Sequence, residues 1–222
     1  VKARRGGQSA TSDWMDIEKK RGISISSSAL QFEYDGFCVN LLDTPGHQDC
    51  SEDTDRTLVA ADAALMLIDG AKGVEPQTIK LFKVCRDRGI PIVTVVNKMD
   101  RPGLDPLDLM DQVAKTLDIA TVPLNWPVHP DDGTFVGVVD RVSQNIIVYD
   151  RQGAGTEVVP QRVIPLDDPG LDELLGAEAH AELLESLELV EMAGDEWSVE
   201  RFLAGEVTPF FFGSAMTNFG VG

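Results

Sequence analysis

Leu30, Phe32 and Tyr34 alternate with polar neighbours, Asp35-Gly36 supplies turn residues, and Phe37 to Leu42 returns as an apolar run. A period of two broken by Asp-Gly is the pattern of a β-hairpin over residues 28–43. Residues 51–61 suit a short helix, and Ala63 to Ile68 is a short apolar strand. A helix follows from about Glu75 to Arg88, with Pro76 in its first turn and Gly89 as its stop. Pro91 to Val96 reads as a buried strand, and Leu107, Met110, Val113 and Leu117 then recur at helical spacing over residues 106–118. Strands alternating with helices predict an α/β fold with a mostly parallel sheet.

After about residue 120 the rhythm changes. Pro123, Pro127 and Pro130 interrupt the chain, and short β-like runs stand at Phe135 to Val139 and Asn145 to Tyr149. An amphipathic helix then turns Leu183, Leu184, Leu187 and Val190 inward, with Glu182, Glu185 and Glu188 largely outside that stripe. At Thr208 a strand resumes. The expected organisation is an α/β domain over 1–119, an inserted α+β subdomain over 120–205, and a last strand and loop of the first domain over 206–222.

Three apolar strands end in polar loops: Asp43-Thr44-Pro45-Gly46-His47, Asn97-Lys98-Met99-Asp100 and Gly213-Ser214-Ala215. In an open α/β sheet, ligands sit beyond the carboxyl ends of the strands, so these loops are the expected binding edge. Asp100 can accept the paired N1-H and N2-H donors that guanine has and adenine lacks. Asn97 can engage the N7/O6 side of the base or tie neighbouring loops together, and the aliphatic stem of Lys98 can lie along the ring. An ordinary polar turn has the same composition. Asp43 can hold the water shell of Mg²⁺. Gly46 lets a backbone amide approach a terminal phosphate. His47 is placed to orient an attacking water. Asp, Pro and Gly are also common in plain turns. Ser24, in a charged segment, offers a hydroxyl to Mg²⁺, although Ser26, Ser27 and Ser28 fit a serine-rich strand entry equally well. The other two histidines, His129 and His180, lie near none of these loops in the sequence.

The composition, 43% hydrophobic over 222 residues, is ample for a packed core. A formal charge of −18 opposes direct binding of nucleic acid, but the charge is uneven. Between 166 and 205 only Arg201 is basic in a strongly acidic run, which reads as a solvated face or a contact for a basic partner. No apolar run approaches the roughly 20 residues of a membrane span, and a cytoplasmic protein is expected. Cys38 and Cys85 fall on elements expected to be buried and Cys50 in a loop, an odd count that favours reduced thiols.

Together these residues resemble the translational GTPases: Arg21-Gly22-Ile23-Ser24 is similar to the first switch, Asp43 to His47 to the second, Asn97 to Asp100 to the base-reading loop, and Gly213-Ser214-Ala215 to the loop behind the base. Ser12-Asp13-Trp14-Met15, Glu18 to Ser24, Ser51-Glu52-Asp53-Thr54, Asn125-Trp126-Pro127 and Asn218-Phe219-Gly220-Val221 resemble the release-factor branch, as does Ser24 in place of the usual Thr. Gln48 and Val128-His129 depart from the family's more frequent Glu and Ile-Gly.

The resemblance implies a P-loop GTPase-type sheet with an insertion, and GTP/GDP and Mg²⁺ as ligands. It also implies hydrolysis that promotes dissociation of a codon-reading release factor from the ribosome, with ribosomal RNA stimulating His47. The partners would be ribosomal RNA and proteins and that release factor. An elongation factor G-like or ribosome-protection GTPase shares the loops, and a non-catalytic interaction module is the alternative of another class. No Gly-x-x-x-x-Gly-Lys-Ser/Thr loop occurs in these residues. The chain is therefore expected to be a fragment lacking the first strand and its helix, to bind GTP poorly alone, and to leave apolar strand faces partly uncovered.

Overall fold

The structure is a computed structural model and describes residues 27–44, 51–149 and 161–220. It divides into two units, residues 1–62 and 63–222. In the first, β1 (Ser28–Tyr34) and β2 (Phe37–Asp43) form the expected antiparallel hairpin, and α1 (Ser51–Leu58) follows. Asp35 and Gly36 both take positive φ, 47° and 79°, the turn whose twist matches a two-residue hairpin. The register pairs Leu30 with Leu41, Phe32 with Val39 and Tyr34 with Phe37, which puts six apolar side chains on one face. That face is open: Phe37 is 71% and Tyr34 65% exposed. Cys38, expected inside, is exposed on the opposite face, where Gln31 Nε2 meets its sulfur at 3.2 Å.

In the second unit, β3 (Ala64–Asp69), β4 (Ile92–Asn97), β10 (Val207–Phe212) and β5 (Ala120–Pro123) form a parallel sheet in the order β3-β4-β10-β5. The helices α2 (Pro76–Asp87) and α3 (Pro106–Leu117) supply the crossovers. α3 begins where the Asp105 carboxylate accepts the Leu107 and Asp108 amides and ends at Asp118, whose φ of 54° leaves the helix. Leu109, Val113 and Leu117 share its buried face, and Phe210, Phe212, Val96 and Ile68 fill the sheet interior. Thr94 and Thr208 hydrogen-bond across the two central strands at 2.8 Å. β3 is an edge strand, and its Leu65 and Leu67 are exposed.

A second sheet, antiparallel, runs β6 (Asn125–Val128), β7 (Gly137–Asp140), β8 (Asn145–Tyr149) and β9 (Gln161–Pro165) in sequence order. The prolines that break the sequence pattern do not break the structure, because Pro123 and Pro127 lie on the edge strands β5 and β6. Three helices complete the unit: α4 (Leu171–Leu175), α5 (Ala177–Ala193) and α6 (Val199–Leu203). On α5, Leu183 and Val190 are buried as expected, but Leu184 is exposed. Seven residues separate the two buried positions, so the inward stripe is narrower than the sequence suggests. The two sheets are joined at β10: the buried Asn125 side chain accepts from Phe212 N at 2.7 Å and donates to Phe212 O at 3.0 Å, and Trp126 packs edge-on against the Phe212 ring.

Candidate nucleotide-binding site

The carboxyl ends of β4 and β10 are neighbours, and their loops interlock. Gly213 N donates to Val96 O at 2.9 Å and Met99 N donates to Gly213 O at 3.2 Å, so the chain leaving β10 rides on the chain leaving β4. The Asn97 side chain oxygen accepts from Lys98 N at 2.8 Å and from Ala215 N at 3.0 Å. Ser214, wholly buried, donates its hydroxyl to Asp100 Oδ1 at 2.5 Å. Asn97, Asp100, Ser214 and Ala215 are therefore one hydrogen-bonded group, and Asn97 performs the loop-tying role open to it. Asp100 retains Oδ2, which has Arg101 Nε at 3.6 Å, and the carboxylate is 20% exposed. A carboxylate with one oxygen fixed and lone pairs to spare suits two parallel N–H donors.

Lys98 has φ of 72°, a left-handed conformation that costs a non-glycine residue about 1–2 kcal/mol. Two contacts hold it there: the Asn97 side chain on its amide and Asp69 Oδ2 on its ammonium at 2.5 Å. Asp69 stands opposite Asn97 in the β3–β4 register. Burial raises its carboxyl pKa, but the Lys98 hydrogen bond, the Ala71 amide and the charges of Lys98 and Lys72 outweigh that and hold it below the usual carboxylate range.

Sequence reading missed Asp69, although an acid closing an apolar strand next to β4 was a visible signal. It also misplaced His129. That residue sits immediately after β6, where its ring lies against the backbone of Met99 in the loop after β4. The Met99 amide already donates to Gly213, which leaves the Met99 carbonyl as the group facing the ring. Burial pushes the imidazole below its ordinary value, and the Met99 backbone beside it opposes the shift only in part. His129 and Met99 line a cavity of about 180 Å³ together with Gly70, Arg101 and Gly103.

Asp43 ends β2 in the other unit, half-buried. Ser24, Gly46 and His47 lie outside the described residues.

With this geometry in hand, comparison with known proteins decides the family. The family model described as "Elongation factor Tu GTP binding domain" matches residues 1–222. The chain belongs to this family. Peptide chain release factor 3 of Symbiobacterium thermophilum is 55% identical over 221 residues, covering 100% of this chain and 42% of that protein. The proteins of the same name from Microcystis aeruginosa and Synechocystis sp. are 55% and 54% identical, each again over 100% of this chain and 40% of the relative. The chain thus spans about 40% of the length of these relatives. A crystal structure from Thermus thermophilus superimposes with a TM-score of 0.73 at 24% identity, over 95% of this chain and 32% of that one, and shows the same fold. Among the described residues no helix is long and apolar enough to cross a membrane.

Proposed function

We propose that this chain supplies the base-reading part of a guanine-nucleotide site in a GTP-hydrolysing translation termination factor, one that promotes dissociation of a codon-reading release factor from the ribosome in the cytoplasm. The observation that carries the nucleotide reading is the hydrogen bond from Ser214 to Asp100, joined through Asn97 and Ala215 across two strand tips. Asp100 takes the N1-H and N2-H donors of guanine. Asn97 presents its amide to the N7/O6 edge while its oxygen keeps Ala215 in place, and the Lys98 stem lies along the ring. Adenine offers no such pair of donors, so the site discriminates by leaving unpaired the Asp100 lone pairs that Ser214 does not use.

For the phosphate side, the family resemblance supports Asp43, Gly46 and His47. Asp43 is a hard oxygen donor of the kind Mg²⁺ accepts through its waters, and Ser24 is the hydroxyl proposed as a direct ligand. When bound, Mg²⁺ supplies charge neutralisation on the phosphate oxygens. Gly46 gives backbone access to the terminal phosphate, and His47 orients the attacking water. The phosphate-gripping loop is proposed to lie outside these residues, so this chain alone binds GTP weakly. In this reading residues 1–119 and 206–222 form the nucleotide domain and 120–205 the inserted subdomain, with β5 at the seam because it pairs with β10.

The release factor 3 relatives favour termination over an elongation factor G-like role. The test is GTP hydrolysis by the complete protein with and without ribosomes, in wild type and His47→Ala. Ribosome-stimulated hydrolysis lost in the variant is the expected result, and hydrolysis indifferent to both ribosomes and His47 rejects the reading.

A further inference from the structure

The two base-reading loops are held from behind by the antiparallel sheet. His129, at the end of β6, lies against Met99, the residue between Lys98 and Asp100, and the two line one cavity. The second grip is on the loop after β10. Phe219 is buried and stacks on Tyr149 of β8, with ring centroids 4.8 Å apart and planes inclined by 15°. Its other neighbour is Phe135, at 6.0 Å, which in turn lies 5.6 Å from the His129 ring. The carbonyl of Phe219 accepts Ser214 N at 2.8 Å, and the Tyr149 phenol lies against the backbone of Gly220. Gly220 runs so close to β10 that a Cβ would stand 2.6 Å from Phe212 O, so this turn has little room to shift. One continuous row of rings, from His129 through Phe135 and Phe219 to Tyr149, thus ends at one side on the backbone next to Asp100 and at the other on the backbone that fixes Ser214.

We propose that the inserted sheet takes part in guanine recognition, with His129 and Tyr149 as positioning residues that keep Asp100 and Ser214 in register for the base. The inference rests on the guanine reading above. An error of about 0.5 Å in an acceptor that must meet two parallel donors weakens the pair more than it weakens contacts to sugar or phosphate. Loss of either grip therefore reduces discrimination at the 2-amino group more than overall nucleotide binding. His129 also stands where the resembled family more often has Gly, so this grip is a property of this chain's own sequence.

The test compares equilibrium affinity for GDP, IDP and ADP in the full-length protein that carries this chain. IDP lacks only the 2-amino group, so wild type is expected to favour GDP over IDP by about tenfold or more, the effect of one hydrogen bond to a charged acceptor. His129→Ala is expected to narrow that ratio about fivefold, with His129→Asn or His129→Gln restoring most of it because each amide can donate to the Met99 carbonyl. Tyr149→Phe keeps the stacking and drops the hydroxyl, and is expected to narrow the ratio about twofold. Ile146→Ala, on the opposite face of β8, is expected to lower the melting temperature and leave the ratio alone. An unchanged ratio in both His129→Ala and Tyr149→Phe overturns the inference, as does an equal change in Ile146→Ala. Wild type that binds GDP and ADP equally rejects the guanine reading itself, before any variant is compared.

Discussion

The hairpin of β1 and β2 and the paired strands β4 and β10 carry apolar residues in similar density, yet they differ in what covers them. On β10, Phe210 and Phe212 are fully buried, flanked by β4 and β5. On the hairpin, Phe32, Tyr34 and Phe37 share a face with Leu30, Val39 and Leu41, and most of it meets solvent. A two-stranded ribbon has no second layer of its own and is at best marginally stable. Apolar alternation therefore predicts a strand in both places, but only the neighbouring elements decide whether the strand becomes core.

The sharpest way to break this comparison is truncation. Phe212→Ala is expected to destabilise the second unit by about 3–5 kcal/mol, whereas Phe37→Ala stays within about 0.5 kcal/mol, as read by denaturant unfolding. Equal costs would mean that the hairpin face is covered in solution. Next in size is Asn125→Leu. It strands the amide and carbonyl of Phe212 and is expected to cost about 2–3 kcal/mol, seen as a shift in denaturation midpoint without a change of slope.

Asp69→Asn tests the anchor of Lys98, a partly exposed pair whose loss is expected to cost about 1 kcal/mol and to weaken guanine affinity alongside. Because the folded Asp69 carboxyl lies below its ordinary value of 3.8, its contribution is complete above that pH and disappears as pH falls through the folded value. Thermal melts between about pH 2 and 5 should lose this slope in the Asn variant.

The smallest effect belongs to His129. Its folded value is depressed, so the unfolded chain takes up the proton first. The stabilising contribution is complete above the ordinary value of 6.5 and declines as pH drops below it. Melting temperature of His129→Gln against wild type from about pH 4.5 to 8 checks this, and parallel curves would contradict it.

Much of the proposed nucleotide edge is legible in the sequence because it is local. Asn97, Lys98 and Asp100 are adjacent, they follow an unmistakable buried strand, and their chemistry matches a base edge. Ser214 and Ala215 follow Phe212 in the same way. What escapes local reading is set by distant partners. Pro127 looks like a breaker until β6 is known to lie at a sheet edge, where a missing amide costs nothing. His129 looks remote from the loops until β6 carries it to Met99, and Asp69 gains a meaning only from its register with Asn97. Leu184 shows the converse, an apolar residue that helical spacing places inside and that the actual packing of α5 leaves outside.

Asn97 joins strand tips that are 118 positions apart, through a single oxygen shared between the Lys98 and Ala215 amides. During synthesis, Asn97 to Asp100 leave the ribosome long before β10 exists, and a nascent chain halted in between holds the right letters in an unfinished shape. The interlock of the two loops should accordingly form in one step as β10 docks beside β4, late and all at once, because closure across so long a stretch precedes every contact that rewards it.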